Sequence, residues 1–349
     1  VDEQAGKIYF QSTEQSALDR DIYSISLNGK KKTRLSDLPG NTRAAFSADH
    51  SYYIKYHSSA KEPLTVSLVK TRGNKQVKVL RDNARLRESI RNYGIVDKEF
   101  FQFETVDGTS LNGFMLKPAD FDAGKQYPVM MYQYSGPGNQ QVLNSFGGGH
   151  FYWHQMLVQL GYIVALVDGR GTGGRGEAFK KQTYARLGEL ETIDQIEAGK
   201  YVASLGYTDP DRIGIWGWSF GGYTSSLCMF KGADVFKAGI AVAPVTNWRF
   251  YDTIYTERYL KRPQDNPSGY DDNSPVFFAD QLKGNYLLIH GTGDDNVHFQ
   301  NAVVLENALI QANKQFDSFY YPDLAHGIYG GNGRMHLYTM MTEFVLSNL

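Results

Sequence analysis

The stretch Arg212-Ile213-Gly214-Ile215-Trp216-Gly217-Trp218-Ser219-Phe220-Gly221-Gly222-Tyr223 decides how the chain folds. Residues 213–216 form an apolar run that predicts a buried strand. The run breaks at Gly217 and resumes at Tyr223 as a helical segment through Phe230. Between them lies Gly217-Trp-Ser219-Phe-Gly221, the G-x-S-x-G spacing of a nucleophile elbow. Such a turn needs small residues on both sides of the serine, because there is no room for side chains there. It lifts the hydroxyl to the sheet's edge, beside a helix N-terminus whose free N–H groups can meet developing negative charge. The bare pattern also describes a glycine-rich strand–helix turn with an incidental serine, so its partners must decide.

Outward from this stretch the chain divides in two. Residues 1–82 carry short β-rich runs between turn residues, at 7–10, 21–27, 44–46, 52–56 and 65–69. They also repeat: Asn28-Gly29 and Gly73-Asn74 each join two strand-like runs, and the two glycines stand 44 positions apart. That period lies within the roughly 40–50 residues of propeller blades. Two such units are too few to bury their own faces, so the reading is a partial β-propeller (its last blades) in the C-terminal part of a longer protein. Residues 83–95 turn helical and charged, as a linker helix would.

From 96 to 349 the pattern becomes α/β. Val106-Asp-Gly108 marks a hairpin, and candidate strands follow at 129–134, 163–168, 213–216, 238–242, 286–290 and 318–321. Helical segments at 152–160, 189–205 and 301–313 alternate with them. This predicts a doubly wound, mostly parallel sheet covered on both faces, an α/β-hydrolase fold. Leu337, Met340, Met341, Phe344 and Val345 fall at helical spacing and predict an amphipathic terminal helix.

In a sheet of this kind sites form where strands end. A serine at an elbow needs a base, and the base an orienting acid, in the chain order Ser, Asp, His. After the strand at 286–290 comes His290-Gly-Thr-Gly-Asp294-Asp-Asn-Val297, and after the last strand Asp323-Leu-Ala-His326-Gly. Order and strand-end placement agree, giving Ser219, Asp294 and His326 as the catalytic set. Asp295 competes for the acid's role, but it reads better as a cap for the following helix. The aromatic segment after Pro244 predicts a pocket wall suited to a compact apolar group such as a proline ring.

Other signals fall away. Gly169-Arg-Gly171-Thr-Gly-Gly174 fits G-x-G-x-x-G, yet no helix opens at its third glycine and no acid ends the next strand. His150 and His154 lack the zincin glutamate, whose place Phe151 takes. His290, Asp294, Asp295 and His298 have no closed ligand spacing. Neither metal nor cofactor is expected. A formal charge of -1 gives no nucleic-acid footprint, and no window is apolar for long enough to span a bilayer. The single cysteine, Cys228, reads as a buried small hydrophobe.

Several motifs together resemble the dipeptidyl peptidase IV branch of the prolyl oligopeptidase family. They are Asp168-Gly-Arg-Gly171, Gly217-Trp-Ser-Phe-Gly-Gly-Tyr223, Val242-Ala-Pro-Val-Thr-Asn-Trp248, Tyr255-Thr-Glu-Arg-Tyr259, residues 290–298 and His326-Gly. The resemblance implies a serine exopeptidase acting on peptides with a penultimate Pro or Ala. Ser219 would be the nucleophile, Asp294 the acid and His326 the base. Tyr134 and the Phe220 amide would form the oxyanion hole. Val245, Trp248, Tyr251, Tyr255 and Val297 would line the proline pocket, and Asn296 would hold a substrate carbonyl. It also implies a periplasmic or secreted enzyme that forms a homodimer, with Met335–Asn348 as a candidate surface.

This chain departs from the branch at two points. Phe220 stands where tyrosine is frequent, and no segment matches the glutamate pair and arginine that anchor the substrate's amino group. Two other classes use the same fold: a serine hydrolase of different specificity (oligopeptidase, acylaminoacyl peptidase or esterase) and a catalytically silent binding protein.

Overall fold

The structure, a computed structural model, describes residues 1–349. Two compact units emerge: residues 1–98 with 142–155, and residues 99–141 with 156–349.

The first unit is all-β apart from its helical segments. Strands β1 (Lys7–Ser12), β2 (Asp21–Ser26) and β3 (Thr33–Arg34) form one antiparallel sheet. Strands β4 (Asn41–Phe46), β5 (Tyr52–Ser58), β6 (Thr65–Lys70) and β7 (Lys75–Arg81) form a second, a four-stranded meander in chain order, as in a propeller blade. The 44-residue echo is visible here. Gly29 turns β2 into β3 and Gly73 turns β6 into β7, with φ of +76° and +82°. Helix α1 (Ala84–Asn92) follows the meander. Residues 142–155, expected within the hydrolase segment, group with this unit through specific bonds. Asn144 donates to Asp19 at 2.8 Å and accepts from the Ala60 N–H at 2.9 Å. The Lys98 ammonium donates to the Ser145 carbonyl at 2.8 Å.

The second unit is the α/β-hydrolase fold. A hairpin of β8 (Glu99–Glu104) and β9 (Ser110–Leu116) leads into β10 (Tyr127–Tyr132), β11 (Ile163–Asp168), β12 (Thr208–Trp218), β13 (Ala238–Val242), β14 (Asn285–Gly291) and β15 (Asp317–Tyr321). The sheet order is β15-β14-β13-β12-β10-β11-β9-β8. Only the pairings of β9 are antiparallel. Every residue of β10, β11 and β13 is buried, as expected of parallel strands covered on both faces.

Helices α2 (Phe151–Gln159), α3 (Gly176–Lys180), α4 (Glu189–Ala203), α5 (Phe220–Lys231), α6 (Thr253–Leu260), α7 (Pro267–Asp271), α8 (Gln300–Gln311) and α9 (Gly333–Asn348) complete the chain. On α9, Leu337, Met341, Phe344 and Val345 are buried, which is the apolar face the spacing predicts. No helix is long and apolar enough to cross a membrane. Cys228 is buried on α5.

This topology positions a site. From β10 the chain steps outward to β11 in one direction, and from β12 onward in the other. The switch point therefore lies between β10 and β12, where open α/β sheets form their crevice at the strands' C-terminal ends.

Candidate active site

Ser219 follows β12 at the switch point. The sequence predicted the helix from Tyr223, but α5 begins at Phe220, with Ser219 as its N-cap residue. The serine sits at φ +60° and ψ -118°, a conformation that L-residues hold only when their surroundings force it. Glycines supply the room for it. A Cβ on Gly217 would lie 2.4 Å from the Gly221 carbonyl carbon and oxygen, and one on Gly221 would lie 2.5 Å from the Gln133 carbonyl oxygen. Because the helix starts directly after the serine, the Phe220 N–H is a first-turn donor without a helical acceptor.

Tyr134 follows β10, the strand beside β12. Its hydroxyl hydrogen-bonds to Ser219, while its ring lies against Gly136, where a Cβ would come within 2.6 Å. Burial pushes the phenol above its ordinary value of 10.0, against the pull of the Ser219 bond. Tyr134 is therefore a protonated donor at neutral pH. A polar residue in the strand end steadies this arrangement. The buried Gln133 side chain donates to the Gly221 carbonyl at 2.6 Å and to the Ser225 hydroxyl at 2.9 Å, tying the end of β10 to the first turns of α5.

Asp294 follows β14 and His326 follows β15. His326 Nδ1 lies 2.8 Å from Asp294 Oδ2, which makes Nδ1 the protonated nitrogen and leaves Nε2 with its lone pair. Asp294 Oδ1 accepts the N–H groups of Asn296 and Val297 at 3.0 and 2.9 Å. Burial alone would raise its carboxyl. Hydrogen bonds from His290 and His326 and the backbone donors outweigh burial and hold it well below the ordinary carboxylate range. His290 Nε2, donating to the Val297 carbonyl at 2.8 Å, packs 3.4 Å from Asp294 Oδ2. Asp295, expected as the cap of α8, is exposed. The N-cap position belongs to Phe299, four residues beyond Asp295, and no side chain caps the helix.

One apolar cluster gathers Phe220, Val245, Trp248 and Val297 in its buried core, with Tyr134, Tyr251 and Tyr255 packed against it. Trp248 and Tyr255 stack with ring centroids 6.3 Å apart and planes 15° apart, while Tyr251 stands edge-on to both. Burial pushes the Tyr251 phenol up to about 12, and its hydroxyl donates to the side-chain oxygen of the exposed Asn296 at 2.7 Å. The expected catalytic, oxyanion and pocket residues thus lie in the segments that follow β10, β12, β13, β14 and β15, with Phe220 opening α5 and Tyr255 on α6.

Sequence reasoning missed two supports. Gln133 is one. The second is the Trp218 indole, which donates to the His326 backbone carbonyl at 2.9 Å and so ties the His326 loop to the elbow. Arg170 of the glycine-rich loop, which the sequence reads as a loop anchor or a partner for nearby carboxylates, is buried against the fully buried Asp194, with Nη2 to Oδ1 at 2.6 Å and a further bond to Asp107.

Comparison with known proteins agrees with this architecture. Residues 149–349 match the model of the prolyl oligopeptidase family, and residues 1–64 match the dipeptidyl peptidase IV (DPP IV) N-terminal region. A probable dipeptidyl-aminopeptidase B of Pyrenophora teres is 38% identical over 99% of this chain and 39% of its own length. A probable dipeptidyl peptidase 4 of Aspergillus flavus is 36% identical over 98% of the chain and 45% of its own length. The crystal structure of Porphyromonas gingivalis dipeptidyl peptidase 4 superposes with a TM-score of 0.95 at 47% identity, over 99% of this chain and 48% of that one. The chain therefore spans less than half the length of each of these relatives.

Proposed function

The chain belongs to the prolyl oligopeptidase family, and on that premise we propose that it is the catalytic part of a serine dipeptidyl peptidase. Its substrates would be peptides with a penultimate proline or alanine, released as N-terminal dipeptides. The observation that carries the reading is the 2.8 Å bond from His326 Nδ1 to Asp294, in the crevice where Ser219 crowns the elbow. An imidazole so oriented has its other nitrogen available to a nucleophile.

In the proposed reaction His326 Nε2 takes the Ser219 proton as the hydroxyl oxygen attacks the carbonyl carbon. The oxyanion is met by the Tyr134 hydroxyl and the Phe220 N–H, both in place before the reaction begins. One such donor contributes about 3–4 kcal/mol. Collapse breaks the peptide bond, and the imidazolium returns its proton to the leaving amine. Water, activated by the same imidazole, then hydrolyses the acyl-enzyme. The aromatic cluster around Trp248 favours a flat, compact side ring on the acyl residue, which supports proline over the other specificities of this fold. Export to the periplasm or beyond, and a homodimer that uses exposed residues of α9 such as Met335 and Leu346, belong to the same proposal.

The test pairs a label with a substrate panel. The full-length protein is expected to take a fluorophosphonate on Ser219 and to cleave a free-amine Gly-Pro anilide in preference to its N-blocked form and to simple esters. Labelling combined with faster turnover of the blocked or ester substrate would reassign the specificity. No labelling at Ser219 would overturn the enzymatic reading.

A further inference from the structure

Beside the elbow lies an arginine that the proposed chemistry leaves unused. The Arg334 guanidinium sits 4.6 Å from the centroid of the Trp218 ring and 4.1 Å from that of Tyr329. Its only hydrogen bond runs from Nη1 to the Tyr338 hydroxyl at 3.3 Å, its buried Nε has no acceptor, and no carboxylate pairs with it. An arginine packed on aromatic faces leaves the in-plane donors of its two Nη atoms to other partners, and such donors match a carboxylate in a bidentate fork.

Its neighbours fix where such a carboxylate would come from. Trp218 directly precedes Ser219 and holds the His326 carbonyl. Tyr329 lies three residues beyond His326. Arg334 therefore borders the histidine's side of the nucleophile. In acyl transfer the imidazole hands its proton to the departing amine, so the departing segment must lie on that side. The acyl side belongs to the cluster around Val245 and Trp248.

We propose that Arg334, shelved between Trp218 and Tyr329, forms a leaving-side subsite for the α-carboxylate of short peptides that end one or two residues beyond the cleaved bond. The proposal rests on the peptidase reading above. It gives the enzyme a means of favouring tri- and tetrapeptides over longer chains, whose carboxylates lie out of reach.

The experiment uses the full-length protein and three substrates: a Gly-Pro-X tripeptide with a free carboxylate, its C-terminal amide, and a Gly-Pro anilide. The anilide carries no carboxylate and so reports the triad alone. Wild type is expected to prefer acid to amide by about tenfold in kcat/KM, the scale of one charge-assisted contact. Arg334→Met should abolish that preference, through KM, and Arg334→Lys should restore part of it. An acid-to-amide ratio equal in wild type and Arg334→Met overturns the subsite while leaving the peptidase reading intact, as long as the anilide is cleaved. Equal loss on all three substrates in both variants overturns it too, since it assigns Arg334 to packing. Failure of wild type to cleave any of them overturns the peptidase reading, and this subsite with it.

Discussion

The indole N–H of Trp218 donates to the backbone carbonyl of His326 at 2.9 Å, so the residue beside Ser219 holds the loop that carries the proposed base. The position of His326 thus depends on the elbow. Trp218→Phe keeps the ring against Arg334 but removes the donor. A neutral hydrogen bond of this kind is worth about 1 kcal/mol. The variant is expected to lose about fivefold in kcat with KM nearly unchanged, and steady-state kinetics on the anilide would check this.

Tyr134→Phe removes one proposed oxyanion donor and should lower kcat by about 10²–10³ with little change in KM. Gln133→Leu removes the amide that ties β10 to α5, and should lower kcat by the same route. The two losses are therefore expected to be less than additive in the double variant. Full additivity would show that Gln133 does not act through Tyr134.

Asp294 makes a signed pH prediction. Its folded carboxyl lies below the unfolded value of about 3.9. Its contribution to stability is therefore present above that value and is lost as pH falls through the range below about 4. Asp294→Asn should lower kcat by about 10⁴, by favouring the wrong imidazole tautomer. The gap in Tm between wild type and variant should narrow as pH falls from 5 to 3. A gap that stays constant would show that the charge is not what stabilises.

Glu191 has the opposite sign. Fully buried on α4, it accepts the Gly188 N–H at 2.9 Å, and burial pushes its carboxyl up to about 8. The folded state keeps a proton that the unfolded chain releases near pH 4.3, so stability is lost progressively as pH rises from about 4 to 8. Glu191→Gln keeps the acceptor and removes the titration. Its Tm advantage over wild type should grow between pH 5 and 8, measured by calorimetry.

The fold was legible in the sequence wherever the sheet is deeply buried. Strands β11 and β13 fall on the predicted residues, because an uninterrupted apolar run between turn residues has few other readings. The start of β12 was not legible. Asp209, Pro210 and Asp211 carry turn signals, and they occupy an irregularity between the pairings of Tyr127 with Thr208 and of Val129 with Ile213. The helix start at Phe220 escaped for a related reason: two glycines look like a loop, although here they let backbones meet. Ser219, Asp294 and His326 stood out because each follows a strand end in the order the chemistry needs. Gln133 and Trp218 did not, since each reaches a backbone carbonyl, which has no sequence identity.

The unusual backbone of Ser219 has a bearing on heat resistance. A left-handed φ at a residue with a Cβ costs of order 1–3 kcal/mol, and the rest of the fold must bear it. Ser219→Gly should relieve that cost, raising the melting temperature while abolishing turnover. A screen of this protein for thermal resilience alone would thus drift toward dead enzyme at position 219, so any such screen must be coupled to a measure of turnover.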